Sequence, residues 1–374
     1  MENQSNLYSF KKMVGPCNQN VQMKIALLTL WHVENYGAEL QTYATVKALK
    51  QLGFEVEVID FRLSDIEQKS LLGRIASCVR TFSPLRYKFN KFWKKYIPSS
   101  RRYRTDDNLI QNPPSADIYM TGSDQVWNPD ITKERAKNFF LNFGSPYIKR
   151  ISYASSFGVT EWKHADIYEE IKSLLKNFDY VTCREESGVK LLKEQFDIDA
   201  VNVVDPTLLF ASYPEFVEPV STNNCLVFYP LSEDTELEQL SKSVSGILGL
   251  KLINNNKISK ILGRIEWNRN SIEEWVKNIA ESEFVLTRSF HGLIFSLLYN
   301  RQFALLKVRN GRNSRVENLL EKIGLEDRMY ETAEAMLNDA PWKRKIDYSI
   351  VNPRISDLRK ESWNTLKAML GDEK

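Results

Sequence analysis

Residues 24–60 read KIALLTLWHVENYGAELQTYATVKALKQLGFEVEVID, and this stretch decides the fold class. Lys24 to Leu30 is a short apolar run of strand character. Asn35-Tyr36-Gly37 supplies turn residues after it. Leu40, Tyr43, Ala44 and Ala48 then recur at helical spacing and share one face. Gly53 stands where glycine commonly ends a helix, because the closing residue takes a left-handed backbone that carries no side-chain penalty there. From Phe54 to Asp60 apolar and polar residues alternate, the period of a second strand. Strand, helix and strand with short links open a parallel α/β sheet.

Outward from this unit the pattern repeats. Asp117-Ile118-Tyr119-Met120, Ile151-Ser152-Tyr153-Ala154, Tyr180 to Glu185 and Val201 to Val204 read as further strands. Asp205-Pro206-Thr207 cuts the last one off, since proline cannot donate to a ladder. We read it as a structural turn at a hinge and place the domain boundary between about 210 and 222. A second α/β unit runs from Cys225–Tyr229 through Lys251–Ile253 and Phe284–Leu286 to Phe303–Leu306. The expected organisation is a disordered extension over 1–22, domains at 23–215 and 222–350, and a C-terminal helix at 351–374 that returns to the first domain. Met23 is a candidate for the true start.

Composition narrows the function. The net charge of +3 is too small to imply nucleic acid, and no nucleic-acid partner is expected. Cys17, Cys78, Cys183 and Cys225 form no CxxC pair, so neither zinc nor a disulfide framework is expected. No run reaches the roughly 20 apolar residues of a membrane helix, and the polar N-terminus lacks a signal-peptide core. A cytoplasmic protein is expected, with peripheral contact at the inner face of a membrane as an addition. That addition rests on residues 68–105, which hold eleven Lys or Arg, no Asp or Glu, and interleaved aromatics such as Tyr87, Phe89, Phe92, Trp93 and Tyr96. They read either as a solvated helical hairpin or as a basic amphipathic surface for anionic lipid.

Polar motifs cluster after the predicted strands, where parallel sheets bind ligands. They are Asn35-Tyr36-Gly37, Gly122 to Asn128, Arg184-Glu185 and Ser289-Phe290-His291-Gly292, with the basic loop Asn310 to Arg315 as a fifth. His291 is one of three histidines and sits at a strand-to-helix turn. Imidazole exchanges a proton near neutral pH, and a helix start favours an anion. His32 and His164 read as packing or surface residues. The DxD at Asp197-Ile198-Asp199 precedes a strand and reads as a solvated turn rather than a metal site.

Together these pieces resemble the polysaccharide pyruvyl transferase family. The stretches that carry the resemblance are residues 24–61, DIYMTGSDQVWNP, SYASSFG, VTCREESGVKLL, VVDPTLL and LTRSFHGLIFSLL, in family order across roughly residues 23–330. The resemblance implies an α/β, GT-B-like fold with two Rossmann-type domains facing a cleft. It implies transfer of the enolpyruvyl unit of phosphoenolpyruvate to two hydroxyls of a sugar, giving a pyruvate ketal in capsule, exopolysaccharide or cell-wall glycan. Phosphoenolpyruvate is then a co-substrate, no other cofactor is expected, and the acceptor is a glycan or lipid-linked oligosaccharide. Two anionic groups on the donor ask for cationic forks. The resemblance assigns Arg184 and His291 to catalysis and the donor, and Arg288, Ser289, Gly292, Asn313 and Arg315 join them as donor contacts. Asn35, Tyr36, Gln41, Ser123, Asp124 and Trp127 are expected to hold the acceptor, with Trp127 stacked on a sugar face. Arg288 departs from the small polar residue expected beside SFHG. A GT-B glycosyltransferase using a nucleotide sugar is the alternative, and a non-catalytic glycan- or membrane-binding protein is a third reading.

Overall fold

A computed structural model of the protein describes residues 22–67, 84–218, 222–257, 259–261, 265–268, 270–309 and 313–371. Residues 1–21 of the expected N-terminal extension, the first part of the basic segment and Asn310 to Arg312 lie outside the described residues. The first sheet runs β3-β2-β1-β4-β5, all parallel, with β1 at Lys24–Leu28, β2 at Glu55–Asp60, β3 at Ser99–Arg102, β4 at Ile118–Thr121 and β5 at Lys149–Ser152. A two-stranded piece, β6 (Thr182–Cys183) with β7 (Val201–Asn202), continues it through single bridges at Ile151–Tyr180 and Ser155–Cys183. The second sheet uses β8 (Cys225–Tyr229), β9 (Lys251–Asn254), β12 (Phe284–Thr287), β13 (Gln302–Leu306) and β14 (Met329–Tyr330) in the order β14-β13-β12-β8-β9. Between its members a small antiparallel hairpin pairs β10 (Ser259–Ile261) with β11 (Ile265–Asn268).

The seven helices that matter for the site are α1 (Tyr36–Gln51), α2 (Pro84–Tyr96), α3 (Thr235–Leu248), α4 (Ile272–Glu281), α5 (Phe290–Leu298), α6 (Ser314–Ile323) and α7 (Tyr348–Leu370). The Asn35 side chain caps α1 by accepting from the Gly37 and Ala38 N–H groups at 3.0 and 3.2 Å, and Gly53 follows with φ +87°. The one-faced burial read from sequence is incomplete. Thirteen residues of α1 are buried, because the helix is covered by its own sheet on one side and by the second unit on the other. Tyr36 stacks on Trp275 of α4 at 5.4 Å, and one apolar cluster runs from Ile25 through Tyr213 to Phe295 without a break at the boundary.

The basic segment ends differently from the expected helical hairpin. After α2, Ser99–Arg102 pairs with β2 as an edge strand, and its side chains alternate between half-buried and exposed positions. Charged residues suit such an edge, since they discourage pairing with another chain. Helix α7 spans both units. Tyr348 contacts the Arg301 carbonyl, while Arg359 and Trp363 donate to the Leu208 and Leu209 carbonyls at 2.9 and 2.8 Å. Ser362 accepts from the Val204 N–H at 3.0 Å. No described helix is long and apolar enough to cross a membrane.

Candidate functional site

Strand order reverses between β1 and β4 in the first sheet and between β8 and β12 in the second. Ligands of open parallel sheets lie at the carboxyl ends of strands at such points. Here the two points face each other. The loops after β1 and β4 bring Asn35, Asp124 and Gln125, those after β8 and β12 bring Leu231, Arg288 and Ser289, and the cleft between them encloses about 210 Å³. Two helix starts meet across it. His291, in the first turn of α5, lies directly on Gly37 in the first turn of α1: a methyl at Gly37 would sit 2.1 Å from Nδ1. Ser289 caps α5 through the Gly292 N–H at 3.3 Å, which leaves the Phe290 and His291 N–H groups with no acceptor inside the helix.

A buried ion network lies beneath the cleft. Arg184 donates to Asp205 Oδ2 at 2.7 Å and approaches Asp124 Oδ1 and Ser123 Oγ, each at 3.4 Å. His291 Nε2 faces the same Asp205 oxygen at 3.6 Å and has no hydrogen-bond partner among the described residues. Asp205 Oδ1 is held by the Thr207 N–H and hydroxyl at 3.0 and 2.6 Å. Burial opposes the Asp205 charge. His291, Arg184 and Thr207 more than offset it and hold the carboxyl below the usual range. Burial likewise opposes the Arg184 charge, but Asp205, then Asp124 and Glu185, raise its pKa overall. Arg184 forms no ion pair with its neighbour Glu185. Glu185 Oε1 instead accepts from Ser156 and the Phe157 and Gly158 N–H groups.

Arg315, at the start of α6, is set apart by what it lacks. Its pKa is pushed down to about 10, first by burial and then by the like charge of Arg184. Among the described residues its guanidinium makes no hydrogen bond, and its nearest carboxylate, Asp124, is 3.8 Å away. Both guanidiniums flank the Phe290 ring, at 5.0 and 5.7 Å. Phe290 and Arg315 border the cleft and also a second, small cavity of about 40 Å³, which Arg184 lines with Asn202, Asn318 and Lys322. Asp124 holds a left-handed backbone, φ +73°, that aspartate tolerates better than most residues.

Several expected ligands are occupied elsewhere. Arg288 donates to Asp234 and Glu236, each at 2.6 Å, and to the Lys307 carbonyl, so its fork ties the second unit's loops together. Asn313 exchanges hydrogen bonds with the Val308 backbone at 2.9 and 3.0 Å. Trp127 is fully buried, stacks on Phe140 and donates to the Phe139 carbonyl; it shows no face to a sugar because α/β packing closes over it. Gln41 is buried and donates to Thr29 and to the Leu30 and Ala38 carbonyls, and Tyr36 donates to the Asn270 carbonyl. Gly292 packs on Thr287, where a methyl would sit 2.8 Å from its hydroxyl. His32 is half-buried and stacks on Trp93, with ring centres 3.5 Å apart. Asp205, read from sequence as a turn, is the residue that sequence reasoning missed. Its only local signal is the proline that follows. Among the described residues no cluster of His, Cys, Asp and Glu is placed to hold a metal ion.

Two facing α/β units with a helix returning across the hinge define a GT-B-like protein. The S. aureus MnaA–UDP co-structure shares this fold at TM-score 0.54 and 13% identity, covering 94% of this chain and 97% of that one. A putative UDP-N-acetylglucosamine 2-epimerase from Listeria monocytogenes aligns at TM-score 0.49 and 11% identity over 93% and 96% of the two chains. No curated protein matches the sequence. The profile of the polysaccharide pyruvyl transferase family matches residues 35–310, and the chain belongs to that family.

Proposed function

We propose that the protein transfers an enolpyruvyl unit from phosphoenolpyruvate to two hydroxyls of a glycan sugar, forming a cyclic ketal and releasing phosphate. The observation that carries this reading is Arg315: a half-buried cation with no hydrogen-bonded partner among the described residues, beside Arg184 and across from His291. Burial and the neighbouring charge of Arg184 disfavour the Arg315 cation, and a ligand that carries a phosphate dianion and a carboxylate would relieve that. Both carbon–oxygen bonds of the ketal form at the carbon that carries the phosphate ester, whose bond to oxygen breaks. Of the two hydroxyl protons, one ends on the methylene, now a methyl, and one leaves with phosphate. His291 is the group placed to move a proton, and the open α5 start with Arg315 and Arg184 holds the anions. Asn35 and Asp124 line the acceptor side of the cleft.

The test mixes protein, phosphoenolpyruvate and pooled glycans of capsular, exopolysaccharide and cell-wall type. Phosphate release that requires the glycan, and disappears in His291→Ala, supports the proposal; no release with any pool counts against it. The GT-B fold also suits a nucleotide-sugar transferase, and fold does not fix chemistry. Thermal stabilisation by UDP- or GDP-sugars but not by phosphoenolpyruvate would favour that alternative. Helix α2 adds a location to the proposal. Tyr87 is 72% exposed and shares its outer face with exposed Lys91, Lys94 and Lys95, a surface suited to anionic lipid at the inner face of a membrane.

A further inference from the structure

We infer that Asp205 is the positioning residue of this site, holding the His291 ring with Nε2 protonated and Nδ1 turned to the reacting groups. The inference rests on the proposed proton-transfer role of His291. Three observations carry it. Asp205 is fully buried, on the stretch that joins the two units, and one of its oxygens meets both Arg184 of the first unit and His291 of the second. Its other oxygen is fixed by Thr207, and Ser123 donates to Oδ2 at 3.1 Å, so the carboxylate cannot swing away. His291 Nε2 is buried and, among the described residues, has no hydrogen-bond partner, with this carboxylate the acid it faces.

An ionised carboxylate accepts and does not donate, so the nitrogen facing it keeps its proton in the neutral ring. The other nitrogen then carries a lone pair. Nδ1 is that nitrogen, and it lies over Gly37 where the two helix starts meet. A carboxylate that orients imidazole in this way acts on geometry and tautomer, and it does not itself take the proton. The same oxygen aligns the Arg184 fork, so a single group sets both halves of the site.

The chain has three histidines, which makes ring-nitrogen spectroscopy tractable. Protein labelled with ¹⁵N-histidine, assigned with His32→Gln and His164→Gln, should show neutral His291 mainly protonated at Nε2. In Asp205→Asn the signals should move to a tautomer mixture, and kcat should fall by about 100-fold or more, the scale expected of a misplaced catalytic group. Asp205→Glu, which keeps the charge, should recover part of the tautomer preference. Neutral His291 protonated mainly at Nδ1 in the unaltered protein would overturn the inference, as would an Asp205→Asn protein with unchanged tautomer and kcat. If Asp205→Asn does not fold, the unaltered protein's spectrum still decides. Because that spectrum needs no substrate, a failure of the phosphoenolpyruvate reading would show separately, as absent phosphate release from a protein with the expected tautomer.

Discussion

Replacing Gly37 by alanine separates catalytic geometry from stability. A methyl there would lie 2.1 Å from His291 Nδ1, 2.6 Å from Cγ and 2.7 Å from Cε1. Ordinary carbon–nitrogen contact needs roughly 3.4 Å or more, so the ring or the whole second unit must retreat by about 1.3 Å. A displacement of that size at a reacting group costs about 100-fold in rate. Stability moves differently. Gly37 is in the first turn of α1, where alanine is favoured over glycine by up to about 1 kcal/mol once the clash is relieved by opening of the units. If the units cannot open, overpacking instead costs about 1–3 kcal/mol. The expected outcome is kcat/KM down by about 100-fold with a melting temperature unchanged or slightly raised. Donor-dependent phosphate release and a melting curve measure both, and the ¹⁵N signals of His291 report the displacement without any substrate. Alanine with full kcat/KM and unmoved His291 signals would refute the claim that this contact belongs to the working geometry.

Other expectations follow from residues that carry charge. Arg288→Ala should destabilise the fold by about 2 kcal/mol, less than a fully buried pair because Asp234 and Glu236 are partly exposed, and should leave the donor KM unchanged. Arg315→Ala should raise the donor KM by about 10- to 100-fold through lost charged hydrogen bonds, with no loss of melting temperature, since a half-buried like charge beside Arg184 is removed. Glu39 is buried under the Trp93 N–H, and burial pushes its pKa from 4.5 up to about 8. An unfolded Glu39 loses its proton first, so its contribution is full below pH 4.5 and is lost as pH rises to about 8; Glu39→Gln should flatten melting temperature over that window. Vesicles rich in anionic lipid should sediment the protein at low salt, and Lys91→Gln with Lys94→Gln and Lys95→Gln should release it; equal binding to neutral vesicles would argue against the charged face.

What could be read from sequence followed the range of the forces involved. The unit at 24–60 was legible because its periodicity, cap and terminal glycine act over a few residues. The pairing of His291 with a helix start was legible for the same reason, since Ser289 caps within three residues. Asp205 was not, because its partners Ser123 and Arg184 stand 82 and 21 residues away and only the closed sheet brings them together. Arg288 sat inside a motif, yet its fate is decided by Asp234 and Glu236, 54 and 52 residues earlier. Trp127 posed the opposite problem. An indole suits a sugar face and a core equally, and its Phe139 and Phe140 neighbours fill the second role.

Helix α7 has a consequence for how the molecule comes into being. Its hydrogen bonds grip Val204, Leu208 and Leu209, the residues on either side of Asp205. A ribosome delivers α7 after every residue of the cleft, so the nascent chain can complete both sheets and still lack the brace on its central carboxylate. Domains form as units during synthesis. Here the sheets can mature early, while competence for chemistry arrives with the closing helix.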